Sequence, residues 1–114
     1  FNQLSEKVKS ICSFLGKKYY NRTIQPRISD MWGMIYKKGD YAIEHDHWPA
    51  LWSGVYYIKA PTNSGDLLFS QLKQRITPKD NMMIIFDGGT RHSVEENLSN
   101  EERIAVSFNV KETI

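Results

Sequence analysis

The sequence predicts a mainly β fold, a small barrel or sandwich, with one helix at its N-terminal end. Three observations carry this. A single amphipathic helical period occupies the first residues. After Pro26, short apolar or aromatic runs alternate with turn residues every eight to twelve positions. The composition is aromatic-rich, with six Tyr, five Phe and three Trp in 114 residues, and such residues favour strands and cores. One helix followed by many strands is the pattern of a sheet structure with a helix packed against it.

The helix is read from Leu4, Val8, Ile11 and Leu15, which recur at helical spacing with Phe14 beside them. Polar and basic residues fill the gaps. The pattern runs over about residues 3–17, with Gly16 as the expected stop. Cys12 falls on or beside the apolar face and reads as a core thiol. Strands are expected near 30–37, 41–47, 53–60, 66–70, 82–87, 91–95 and 102–110. The last is the cleanest. Ile104, Val106, Phe108 and Val110 alternate with Arg103, Ala105, Ser107 and Asn109, so a period of two puts them on opposite faces. In a solvated sheet the second set faces water. In a barrel holding a polar ligand it faces inward, with the apolar set under the helix.

The length suits a single domain over 1–114: helix and linker in 1–30, packed on a barrel in 31–114. No apolar run approaches the ~20 residues of a membrane span. No signal peptide is visible, although a start at Phe1 leaves an upstream segment open. A lone cysteine excludes an internal disulfide framework and a multi-cysteine zinc site, and it suits a reducing, cytoplasmic setting. The net charge of +2 is too small to argue for nucleic acid. The first 30 residues nevertheless hold six Lys/Arg against Glu6 and Asp30, read as a solvated helix face before a phosphate-binding patch.

The chain has three histidines, His45, His47 and His92. His45 and His47 are two apart on an expected strand and so share a face, while His92 opens another strand. A close pair plus a distant third is how a barrel builds a metal site, and imidazole suits iron, zinc, copper or nickel. Glu44 and Asp46 have the opposite parity and are expected to face away. Arg103 lies on the non-apolar face of the last strand. If buried without a protein carboxylate, it needs an anionic ligand, which its guanidinium fork can hold bidentate. Glu95, Glu96, Glu101 and Glu102 leave a surface ion pair open instead.

The strings His45-Asp46-His47, Ser53-Gly54-Val55-Tyr56-Tyr57, His92-Ser93-Val94 and Arg103-Ile104-Ala105-Val106-Ser107-Phe108-Asn109 stand in this order. Together they resemble the Fe(II)- and 2-oxoglutarate-dependent oxygenases on the prolyl-hydroxylase-like side, in particular a small group of bacteria and tailed phages. The resemblance covers about residues 32–110. It implies a double-stranded β-helix, the jelly-roll, cupin-like barrel. It implies Fe(II) on His45, His47 and His92, with Arg103 on the distal carboxylate of 2-oxoglutarate. It implies that Tyr57 assists Arg103, that Tyr36 lies near the metal-chelating end, and that Ser107 shares the strand face of Arg103. The implied activity is hydroxylation of an unidentified substrate, peptidyl or prolyl by analogy, with dioxygen consumed and succinate and CO₂ released. One departure is plain: most of the superfamily has a carboxylate where this chain has His47. If phage-encoded, the protein would work in the host cytoplasm.

Two alternatives stand beside this. Gly39, His45-x-His47 and Gly89-x-x-His92 fit parts of a cupin signature, but Leu51 and Trp52 occupy the place of its glutamate. A non-catalytic phage jelly-roll module, binding or structural, is the other. Trp48 and Trp52 are either groove-lining or core, and residues 48–52 read as a loop at the barrel mouth because of Pro49. A homodimer through the helix or an edge strand is left open.

Overall fold

The computed structural model describes residues 2–113. Its elements are helix α1 (Asn2–Tyr20) and eight strands: β1 (Pro26–Tyr36), β2 (Ala42–His45), β3 (Trp52–Lys59), β4 (Leu67–Phe69), β5 (Gln74–Ile76), β6 (Met83–Asp87), β7 (His92–Val94) and β8 (Arg103–Glu112). They form two antiparallel four-stranded sheets, ordered β1-β8-β3-β6 and β2-β7-β4-β5. The pairs β1·β8, β2·β7, β3·β6 and β4·β5 are all present. This is one long hairpin of paired strands rolled into two facing sheets, the jelly roll.

The helix runs past its expected end. Gly16 lies inside it and is buried. A Cβ at that position would meet Ile24 Cδ1 at 2.7 Å, so the glycine serves close packing of helix on chain rather than termination. The helix ends at Tyr20 and the chain turns at Asn21, with φ of 50°, a left-handed conformation that Asn tolerates at a helix end. Val8, Cys12 and Gly16, four apart, bury the helix against the first sheet. Val8 and Cys12 join Ile24, Trp52, Phe108 and Val110 in one apolar cluster. Trp52 is therefore a core residue at the start of β3, while Trp48 stays exposed. Burial pushes the Cys12 thiol up to about 12, which makes it inert at neutral pH.

A second cluster lies between the sheets: Val55, Tyr57 and Ala105 from the first, Leu67 and Phe69 from the second. Strand β1 begins at Pro26, earlier than the expected residue 30, so part of the anticipated linker is sheet. Strand β5 was not anticipated, because Gln74-Arg75-Ile76 carries almost no apolar alternation. Strand β2 ends at His45, leaving His47 in the loop that follows, so the pair does not share one regular strand. No described helix is long and apolar enough to cross a membrane.

Candidate metal and dicarboxylate site

The inner face of the first sheet is built by register. Trp32 lies opposite Ser107, Met34 opposite Ala105 and Tyr36 opposite Arg103. Across the other edge of β8, Val55 pairs with Ser107 and Tyr57 with Ala105. These residues line one pocket, whose other wall includes Ala42, His45, His47, Leu67, His92 and Val94. The barrel alternative for the last strand is thus the one realised: Arg103, Ala105 and Ser107 face inward, while Phe108 and Val110 lie under the helix.

The three histidines meet at one end. Their potential ligand atoms all lie within 4.8 Å of one another. His45 and His92 face each other across β2 and β7. A bulge in β2 sets this up: Ala42 pairs with Val94 and His45 with His92, so three steps on β2 match two on β7. Ala42 and His45 both line the pocket, while Ile43 and Glu44 between them are exposed. His45 Nδ1 lies 2.7 Å from the Ile43 carbonyl and His92 Nδ1 3.0 Å from the Thr90 carbonyl. A carbonyl only accepts, so each Nδ1 carries the proton and each Nε2 is left as a lone-pair donor. His47 is held from its backbone, whose N–H donates to the Gly88 carbonyl at 2.9 Å. A Cβ on Gly88 would lie 2.0 Å from the Ala50 carbonyl oxygen, so only glycine allows this loop so close.

Burial favours the neutral imidazole at His92 and His47. Burial lowers His92 to about 4, and the other two histidines push the same way. Burial first, then His45, lowers His47. Neutral imidazole is the metal-binding form. Asp46 faces away as expected. It accepts from the Trp48 N–H at 3.1 Å and lies 3.7 Å from Arg91. Glu44 is likewise outside, bonded to Ser70 and Arg91.

Arg103 is 3% exposed. Its Nη1 donates to the carbonyls of Ser64 at 2.5 Å and Gly65 at 3.2 Å. Its guanidinium lies 4.3 Å from the centre of the Tyr36 ring, a cation–π contact. No carboxylate among the described residues pairs with it, so the surface ion pair with a nearby glutamate is not formed. Burial disfavours its charged form. Tyr57 is pushed up to about 12, mainly by burial, so it remains a hydroxyl donor. The Tyr36 ring sits at the arginine end, whereas the resemblance links that tyrosine to the chelating end. Ser107 Oγ lies 3.7 Å from Met34 Sδ, within the same pocket.

Some supporting residues were not visible in the sequence. Asn97 is fully buried, and its Nδ2 donates to the Tyr36 carbonyl at 3.0 Å and the Glu101 carbonyl at 2.9 Å. It ties β1 to the loop entering β8. Gly65, at φ 99°, brings its loop within reach of Arg103, and a Cβ there would strike the Glu95 carbonyl. Gly65 stood only as turn punctuation, and Asn97 gave no signal.

The family described as "Putative 2OG-Fe(II) oxygenase" matches residues 30–77. The match covers less than half of the chain, so it is a likeness to that family over this segment. The matched segment contains Tyr36, His45, His47 and Tyr57 but stops before His92 and Arg103, which the fold brings to the same pocket. The viral collagen prolyl hydroxylase of Paramecium bursaria Chlorella virus-1 aligns with a TM-score of 0.75 at 23% identity, over 96% of this chain and 68% of that one. Its 2OG complex aligns at 0.72 and 21%, over 98% and 74%. A Pseudomonas putida prolyl-4-hydroxylase aligns at 0.76 and 15%, over 97% and 66%. A cupin domain from Bordetella pertussis aligns at 0.54 and 17%, over 75% of this chain and 91% of that one. These likenesses establish the double-stranded β-helix. No curated protein sequence matches the chain. Fe(II) and 2-oxoglutarate are the cofactor and cosubstrate of this enzyme type, and the histidine cluster is a donor set that fits iron.

Proposed function

We propose that the protein is an Fe(II)- and 2-oxoglutarate-dependent hydroxylase acting on a peptidyl substrate such as a prolyl residue, with His45, His47 and His92 as iron ligands. The observation that carries this is one pocket holding three converging imidazoles and a buried arginine without a carboxylate. Bound Fe(II) with 2-oxoglutarate supplies the oxidising chemistry, consuming dioxygen and releasing succinate and CO₂. The protein's own part is placement. The Nδ1–H bonds of His45 and His92 fix ring orientation and tautomer. Arg103 binds the distal carboxylate of 2-oxoglutarate, Tyr57 donates its hydroxyl to the same group, and Ser107 lines the wall beside them. Tyr36 holds the guanidinium plane from below. Leu67, Phe86 and Val94 exclude water from the cosubstrate.

The substrate class rests on the likeness to two prolyl hydroxylases and is a proposal at that level alone. Exposed Tyr41, Ile43 and Trp48 flank the histidine end, where a substrate would arrive. A cytoplasmic setting fits the single, buried, free Cys12. The basic residues Lys7, Lys17 and Lys18 of the helix are exposed, Lys9 pairs with Glu6, and Arg22 beyond the helix pairs with Glu112. The small net charge of +2 gives no argument for nucleic acid as partner, and a homodimer through the helix or an edge strand is part of the proposal.

The test is an oxygen-free Fe(II) titration with and without 2-oxoglutarate. The chelate gives a visible charge-transfer band, followed on aeration by succinate release. Iron binding with no such band would instead favour the cupin reading, which has no use for a buried Arg103.

A further inference from the structure

The inner face of the first sheet continues one step past the pocket. Its rows run Tyr36, Met34, Trp32, Asp30 on β1 and Arg103, Ala105, Ser107, Asn109 on β8, paired from Tyr36 with Arg103 to Asp30 with Asn109. Arg103 stands at one end of these rows. Asp30 and Asn109 stand at the other, beyond Trp32, whose ring centre lies 6.3 Å from that of His47. A bulge sets Asp30 there. Ile28 pairs with Val110 and Asp30 with Asn109, which leaves Ser29 as the extra residue. Ile28 thus stays with the apolar cluster under the helix, while Asp30 joins the polar row.

The Asp30 carboxylate is exposed but held. Ser29 Oγ lies 3.1 Å from its Oδ2, and Asn109 Nδ2 donates to the same oxygen at 3.3 Å. Asn109 is fixed in turn by the buried Ser53, whose Oγ donates to Asn109 Oδ1 at 2.9 Å. Both contacts end on Oδ2, so Oδ1 keeps its acceptor capacity. No Lys or Arg forms an ion pair with Asp30 among the described residues. Asp46, the other carboxylate whose charge reaches His47, lies 3.7 Å from Arg91. An oriented anion without a cation, two residues along the strand from an aromatic wall, suits an ammonium or guanidinium. The carboxylate takes the charge, and the indole takes the aliphatic stem or the cation's face.

We infer that the substrate presents a cationic group to Asp30 while the carbon to be oxidised faces the histidine cluster. This rests on the functional reading above and narrows its substrate class. The experiment measures probe binding to protein loaded with Mn(II) and 2-oxoglutarate under nitrogen, where no turnover occurs. The probes are short blocked peptides with one proline, flanked on either side by lysine, norleucine or glutamate, and N-acetyl-lysine amide as a small amine. Norleucine keeps the stem of lysine and removes the charge. The wild type should bind a lysine probe roughly 3- to 30-fold more tightly than its norleucine counterpart. Asp30→Asn should abolish that preference, and Asp30→Lys should transfer it to a glutamate probe. The 2-oxoglutarate affinity of both variants, measured first with saturating Mn(II), should stay within about twofold of wild type. A preference confined to the peptides makes the source a peptidyl side chain, and equal binding of N-acetyl-lysine amide makes it a small amine; either supports the inference. A wild type that binds 2-oxoglutarate but ignores probe charge would overturn it and leave the functional reading standing, as would a preference that survives in Asp30→Asn. Equal loss of lysine and norleucine probes in Asp30→Asn would also overturn it, making Asp30 only a brace for Asn109. A wild type that binds no 2-oxoglutarate in the presence of metal would sink the functional reading and this inference with it.

Discussion

The two faces of strand β8 divide the labour of the molecule. On one face Phe108 and Val110 are fully buried with Val8, Cys12 and Trp52 beneath the helix, an apolar layer with nothing to bind. On the other, one residue away at each step, Arg103, Ala105 and Ser107 line the pocket. The backbone is shared and the surroundings are opposite. The outer face holds the fold, and the inner face carries the polar side chains of the pocket.

The comparison can be broken from either side. Phe108→Ala should cost about 3–5 kcal/mol of unfolding free energy, the usual range for deleting a buried ring. Urea denaturation would show it, while 2-oxoglutarate affinity of the folded fraction should stay near wild type. Arg103→Ala should do the reverse. It should weaken 2-oxoglutarate by about 2–4 kcal/mol, roughly 30- to 1000-fold in affinity, with metal binding in the absence of cosubstrate not weakened. Its stability should fall less than that of Phe108→Ala, by about 1–3 kcal/mol, because the Ser64 and Gly65 carbonyls lose their donor while no anionic partner is orphaned. A large loss of stability with unchanged affinity would mean that Arg103 is structural.

Smaller effects sharpen the picture. Tyr57→Phe removes one hydroxyl and should cost about 1 kcal/mol in 2-oxoglutarate binding, read by the same calorimetry. Asp46→Asn should leave metal affinity within about twofold by titration, since the carboxylate faces out and exposed ion pairs contribute little. A loss matching that of a histidine variant would make Asp46 a ligand.

What the sequence revealed follows the same division. The period of two in 103–110 was legible because one face is apolar throughout, and that fixed which set points inward once the barrel was known. The spacing of His45, His47 and His92 was legible as a metal constellation. The route by which they converge was not. Regular alternation over 41–47 leaves no room for the bulge at 43–44 or for the strand ending at His45, because a bulge depends on the partner strand and not on local composition. Gly16 misled for a related reason: a glycine that ends a helix and one that admits a neighbour look alike until Ile24 is in place. Strand β5 was missed because Gln74 and Arg75 are exposed and its ladder to β4 owes little to side-chain pattern. The carbonyls that hold Arg103 belong to Ser64 and Gly65, some forty positions upstream, and no local pattern links them.

The nested pairing of the strands also has a consequence in time. Pro26 is matched with Glu112 and Tyr36 with Arg103, and β8 sits between β1 and β3, so the first sheet has no centre until the last strand arrives. Emerging from a ribosome, β1 and one edge of β3 would wait unpaired, while the second sheet and the β3·β6 pair need no residue of β8. Structures dominated by such distant pairings fold in milliseconds to seconds, and the delay exposes unpaired strands to one another. The arginine that completes the pocket rides on the strand that also completes the fold, so a chain arrested before β8 has neither.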